Sequence, residues 1–352
     1  MAELLLPNQI MSNENHKAIF AKTKINAEKG DPSAQFNLAW MYDSGEGVQK
    51  NSVMAVEWYS RAAEQGYAEA QFNLAQMYDF GEGVQKNSAR AFEWHSRAAE
   101  QGHALAQYNL GVKYKTGDGV SKNYAKAIQW YTKAAEQGEA EAQNNLGLMY
   151  HSGEGAPKNY AKGMEWLAKA AEQEHPPALN NLGLIYKKGD GVPQNFAKAL
   201  ECFNQGAEQG DAQNQFNVGM MWYNGHGVPK NYARAFEWFA QAAEQGHVLA
   251  QIYLGLMNFC GKGVPKNEIE AVEWWGKAAK QGSLSARLLL KGLLILYSIT
   301  PSFIFGLLGL IFVLTMGFMT FIMKQPSYLI WLKISGAMLI TFALWRILRK
   351  RS

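Results

Sequence analysis

One spacing governs this chain: from Asp31 to Gly282 the sequence repeats itself every 36 residues. Residues 31–66 read DPSAQFNLAWMYDSGEGVQKNSVMAVEWYSRAAEQG, and residues 67–102 read YAEAQFNLAQMYDFGEGVQKNSARAFEWHSRAAEQG. A G-x-G pair returns at Gly45/Gly47, Gly81/Gly83, Gly117/Gly119, Gly153/Gly155, Gly189/Gly191, Gly225/Gly227 and Gly261/Gly263. An asparagine keeps the same step from Asn51 to Asn267, so seven copies run without an insertion. A fixed period of this length marks a solenoid: one unit cannot bury its own apolar face, and stacked units share a continuous core.

Each unit reads as two helices. The first covers residues 33–44, with Ala34, Leu38 and Tyr42 at four-residue spacing on one face. Gly45-x-Gly47 stops it, because glycine accepts the left-handed backbone that a helix end favours. The second begins at Asn51, whose side chain suits an N-cap, and ends at Gly66. It is expected to carry Ala55, Trp58 and Ala62 inward, with the alanines allowing close helix approach.

These residues resemble a known family. The A-x-x-x-L-G-x-x-Y, G-x-G-V and A-x-x-W-x-x-x-A-A-x-Q-G segments are similar to the Sel-one-like repeat (SLR), a longer cousin of the tetratricopeptide repeat. The resemblance covers residues 31–282 of 352. It implies an all-α fold, an α/α superhelical solenoid of seven helix-turn-helix repeats, used as a protein-interaction scaffold rather than for a reaction. Cysteine-rich members staple each repeat with a disulfide. Here only Cys202 and Cys260 occur, and Cys202 takes the Trp58 position as an expected core filler, so a reducing compartment is favoured.

The flanks differ. Asn15, Glu28 and Gly30 precede Asn51, Glu64 and Gly66 by one period, so residues 1–30 read as an N-terminal segment and half-repeat cap. MAELLLPNQI lacks the basic flank of a signal peptide, and Met11 is an alternative start. After the repeats (31–282), residues 283–301 read as a capping helix and connector. Gly292–Met323 holds 32 residues without a charge, more than the roughly 20 that one bilayer crossing needs. Pro301 breaks it. Residues 302–345 therefore read as a transmembrane helical hairpin, spans 302–323 and 328–345 joined by Lys324-Gln-Pro-Ser, with 346–352 a basic tail. Lys277, Lys280, Arg287 and Lys291 before the hairpin and Arg346, Arg349, Lys350 and Arg351 after it place both ends in the cytoplasm. The expected location is a bacterial inner or cytoplasmic membrane with the repeats facing the cytoplasm, and the lipid bilayer is one partner.

A formal net charge of +4, spread along the repeats, argues against a nucleic-acid partner, which calls for a concentrated basic stripe. The Glu57–Arg61, Glu93–Arg97, Glu165–Lys169 and Glu273–Lys277 pairs at i,i+4 read as a solvated face. At the fourth junction Glu174-His175-Pro176-Pro177 replaces the usual Gln-Gly ending, so that helix either ends differently or the stack bends. The seven histidines show no metal-ligand spacing, and the Gly-Glu-Gly-Val-Gln-Lys turn lacks the strand and G-K-[ST] ending of a phosphate loop. No cofactor, metal or catalytic residue is expected. A hydrolase of β-lactam or cell-wall type and a secreted bacterial effector anchoring to a host membrane are the competing functions.

One ladder is a candidate for partner binding: Asn37, Asn73, Asn109, Asn145, Asn181 and Asn217 repeat in register on the first helices. Phe36, Trp40, Phe72 and Tyr108 lie among them. In the related tetratricopeptide fold the first helices line a concave groove, where such asparagines bond a peptide backbone. Alternatively each Asn ties neighbouring helices together. The expected partner is an unidentified protein or peptide.

Overall fold

The computed structural model describes residues 13–294. Among these there are sixteen helices and no strand, an all-helical solenoid. The order is α1 (Asn13–Glu28), α2 (Pro32–Ser44), α3 (Ser52–Glu64), α4 (Ala68–Phe80), α5 (Ser88–Glu100), α6 (Ala104–Thr116), α7 (Tyr124–Glu136) and α8 (Ala140–Ser152). It continues with α9 (Tyr160–Glu172), α10 (Pro176–Lys188), α11 (Phe196–Glu208), α12 (Ala212–Asn224), α13 (Tyr232–Glu244), α14 (Val248–Cys260) and α15 (Glu268–Lys280), then α16 over residues 284–294. The chain divides into two compact units, Met1–Glu268 and Ile269–Ser352.

The helix limits follow from their end residues. Asn51 Oδ1 accepts from the Met54 amide at 3.1 Å, and Asn87, Asn123, Asn159, Asn195 and Asn231 do the same for their helices. First helices take other caps. His103, His175 and His247, at one repeat position in alternate repeats, each accept a backbone N–H through Nδ1, at 3.2–3.3 Å. The two turn glycines have different duties. Gly45 is left-handed at φ 81° and closes α2. At Gly83 a Cβ would lie 2.2 Å from the Ser52 carbonyl oxygen, where the turn presses on the start of the preceding repeat's second helix.

The second helices bury a stripe one position beyond the expected tryptophans. Tyr59, His95, Tyr131, Leu167, Phe203 and Phe239 are all at most 1% exposed. They complete the Ala55–Tyr59–Ala62 stripe at the helical period, and Trp58 is buried beside it, as expected. Trp94 and Trp130 are half-buried under Arg97 and Lys133, which stand 4.3 and 4.0 Å from the ring centres. Arg61 and Lys169 bond Glu57 and Glu165 and also cover Trp58 and Trp166. Cys202 is half-buried at the edge of the Leu167–Leu182–Ile185 cluster, and both cysteines are free.

A polar ladder runs through this apolar stack. Gln35, Gln71, Gln107, Gln143, Gln215 and Gln251 are buried, and each donates to a carbonyl eight residues earlier, from Ala27 O to Ala243 O. Gln65, Gln101, Gln137, Gln173 and Gln245 then donate to Gln35, Gln71, Gln107, Gln143 and Gln215 at 2.7–2.8 Å. Each rung thus crosses from a first helix to the ends of two second helices. Leu179 takes the rung position in the fifth repeat, and Gln209 turns instead to the Gln205 carbonyl at 3.4 Å. In that gap lies a cleft of 590 Å³ lined by Leu179, Leu182, Ala168, Ala171, Gln205 and Gln209.

The fourth junction keeps its backbone. Glu174 itself takes the left-handed position at φ 57°, and His175 N bonds Ala170 O at 3.2 Å as Glu139 N bonds Ala134 O at the preceding junction. The helix therefore ends as its neighbours do, on a residue with a Cβ. Pro176 and Pro177 fill the first turn of α10, where no amide partner is needed.

Among the described residues no helix is long and apolar enough to cross a membrane. The hairpin at 302–345 and the basic tail lie outside the described residues.

Candidate functional site

The asparagine ladder divides into two kinds of position. Asn73 on α4 donates to the Tyr59 hydroxyl on α3 at 3.1 Å. Asn181 donates to Asn144 on the neighbouring first helix at 2.9 Å, and Asn217 to Asn180 at 2.6 Å. These three tie helices together. Asn37 is exposed, and Asn109 and Asn145 are half-buried.

The aromatic candidates divide likewise. Phe36 packs on Tyr59 and Tyr67 with ring centres 5.7 and 5.3 Å apart. Phe72 stacks on His103 at 4.6 Å, and Tyr108 meets Tyr131 at 5.9 Å. All three are half-buried wall residues. Trp40 is 44% exposed, and Phe80, one repeat further on, is 71% exposed. Neither type recurs at 36-residue steps: Gln76 follows Trp40, and Ser44 precedes Phe80.

Trp40 and Phe80 border a pocket of 290 Å³ on the first two repeats, shared with Asp43, Tyr59, Asn73 and Glu82. Burial pushes the Tyr59 hydroxyl up to about 12, so it stays protonated while it accepts from Asn73. The Asp43 Oδ1 atom is buried without a hydrogen-bond partner. One period later Asp79 is fully engaged. Its two oxygens take Lys113 Nζ at 2.6 Å and His95 Nε2 at 3.1 Å. Burial pushes the Asp79 carboxyl up, but the bonds and charges of His95 and Lys113 outweigh it and hold the group below the ordinary carboxylate range. Burial pulls the His95 imidazole down, and Asp79 only partly opposes this.

This Asp79–His95–Lys113 cluster escaped the sequence reading, although its signal was present. Lys113 stands in a position held by Met41, Met77, Met149 and Met221, and His95 in one otherwise aromatic or leucine. His95 is fully buried, and its Nδ1, like that of His151, has no hydrogen-bond partner. The second nitrogen of each meets a carboxylate, Asp79 or Asp190, so neither ring nitrogen hydrogen-bonds a serine, threonine or cysteine. Among the described residues no group of three His, Cys, Asp or Glu is placed to hold a metal ion.

The Sel1 repeat matches residues 32–67, 68–103, 104–139, 140–175, 176–211, 215–247 and 248–283. The chain belongs to the Sel1 repeat family. It is similar to a Sel1 repeat protein from Oxalobacter formigenes, at 32% identity over 81% of this chain and 83% of that one, with a TM-score of 0.68. A protective antigen of uropathogenic Escherichia coli with an SLR fold is 37% identical over 78% of this chain, with a TM-score of 0.70, and the chain spans 59% of the antigen's length. Yeast Tom70 shares the fold alone, at 15% identity and a TM-score of 0.50. No curated protein matches the chain. The Sel1 scaffold fold is typical of protein–protein interaction.

Proposed function

We propose that this Sel1 repeat protein is a membrane-tethered, non-catalytic scaffold that binds protein or peptide partners on the face formed by its first helices. The observation that carries this reading is the division of that face. Asn73, Asn181 and Asn217 are committed to internal bonds, while Asn37 is exposed and the exposed Trp40 borders a pocket. Exposed aromatic anchors such as Trp40 are among the side chains that dominate protein interfaces. The tether rests on the charge-free run 292–323 and the basic residues on either side of the hairpin, which put the repeats in the cytoplasm.

The test is proximity labelling from the intact chain in its membrane, beside an Asn37→Ala/Trp40→Ala variant. The variant is expected to lose the labelled partners while keeping helix content and melting temperature. An unchanged partner set from a stably folded variant overturns the first-helix face as the binding surface. Reporter fusions at Gly282, Pro326 and Ser352 test the tether, and an extracytoplasmic signal at Gly282 overturns the orientation.

A further inference from the structure

Two aspartates one period apart set up the inference. Asp79 and Asp43 hold equivalent positions, and so do Lys113 and Met77. The third repeat therefore supplies Asp79 with an ammonium at 2.6 Å, whereas the second offers Asp43 a thioether. The consequence is the buried, unpartnered Asp43 Oδ1. A carboxylate oxygen left in this state is costly, because its lost hydration is not replaced. The pocket that Asp43 lines also holds Glu82 and the exposed rings of Trp40 and Phe80, and no basic side chain lines it.

We propose that this pocket is a receptor for one arginine side chain of a partner, which supplies from outside the cation that Lys113 supplies to Asp79. The guanidinium meets the Asp43 carboxylate from the pocket side, and its flat face lies on Trp40, a contact that a lysine ammonium cannot reproduce. Phe80 and the alkyl stem of the arginine exclude water from the pair. Tyr59, held by Asn73, forms the inner wall. The proposal rests on the scaffold reading and names the chemistry of the partner residue that the first two repeats select.

The test uses the full chain in detergent micelles and titration calorimetry with Ac-Ala-Ala-Arg-Ala-Ala-NH2, its lysine counterpart and its citrulline counterpart. The arginine peptide is expected to bind about ten-fold or more tightly than the other two, as loss of a charge-assisted bond implies. Asp43→Asn is expected to erase that preference while melting no lower than the parent, since it removes an unpaired charge. Met77→Lys supplies the cation internally, and is expected to raise the melting temperature and abolish arginine binding. Equal affinity for arginine and citrulline peptides, or wild-type binding by Asp43→Asn, overturns the pocket. A lysine peptide that binds as tightly overturns the guanidinium assignment. If the peptides fail to discriminate while Asn37→Ala/Trp40→Ala still loses its partners, the arginine pocket falls and the scaffold reading stands.

Discussion

The repeat is broken in two places, and the breaks are opposite in kind. Between the second and third repeats, charged groups enter an apolar core: Lys113 replaces a methionine, and Asp79 and His95 close around it. In the fifth repeat an apolar group enters a polar ladder: Leu179 replaces a glutamine, and a 590 Å³ cleft lies where the rung would be. The inserted charges find partners, whereas the deleted amide leaves Gln209 with a weak substitute at 3.4 Å. Both breaks leave the helix limits unchanged, because asparagine caps and left-handed junction residues set the backbone independently of what fills the core. Backbone and core are thus specified by different residues, and the core is free to vary.

The harshest way to break this comparison is Lys113→Met, which restores the consensus side chain but leaves Asp79 with His95 alone. Removing one partner of a buried pair leaves an uncompensated charge, so a loss of about 3 kcal/mol is expected in urea unfolding. A variant as stable as the parent would show that Asp79 is hydrated.

Next comes the rung. Gln143→Leu copies the natural break into an intact position and leaves the buried Ala135 carbonyl and the Gln173 amide short of a partner. The expected loss is about 2 kcal/mol. Leu179→Gln, the reverse change, should be tolerated within about 1 kcal/mol, because Gln209 waits for it. Equal costs in both directions would mean that the cleft is not a missing rung.

Smaller still is the junction. Glu174→Gly removes the Cβ from a left-handed residue at φ 57° and should gain about 1 kcal/mol. Gly138→Glu should lose a similar amount. No gain at position 174 would show that the glutamate is stabilised by contacts that offset its backbone.

The mildest effect is on pH. Burial lowers the His95 pKa in the folded chain, so the unfolded chain takes up this proton first as pH falls through about 6.5. Stability from His95 is therefore full above that pH and is lost below it, down to the folded value. His103 and His247 are lowered by burial too and act in the same direction. His95→Phe, the side chain at Phe203 and Phe239, should flatten part of the slope between neutral pH and pH 5. An unchanged slope would assign all of it to the other two histidines.

What the sequence made legible was whatever is encoded locally. Asn51 and Gly45 act within a few residues of themselves, and their period alone placed the helices. The side chains that pair at a distance were hidden. Gln65 meets Gln35 thirty positions away, and Lys113 meets Asp79 thirty-four away. The glutamine step is plain in the sequence, but nothing local says which group each one meets in space. The expected inward Ala55, Trp58 and Ala62 are buried, and the sequence reading missed that Tyr59, beside Trp58, is buried deeper still. The asparagine ladder was read as one feature, and the structure divides it residue by residue. The membrane hairpin lies outside the described residues.

The contact at Gly83 has a consequence for how such an array grows. Because each turn touches the helix start of the unit before it, as also at Gly119, where a Cβ would collide with the Ser88 carbonyl oxygen, every copy gauges the position of its predecessor. A residue inserted between turn and helix would mis-set that gauge for every later copy. Length can therefore change only by whole units, gained or lost as blocks of 36 residues, so that the reach of the scaffold is quantised.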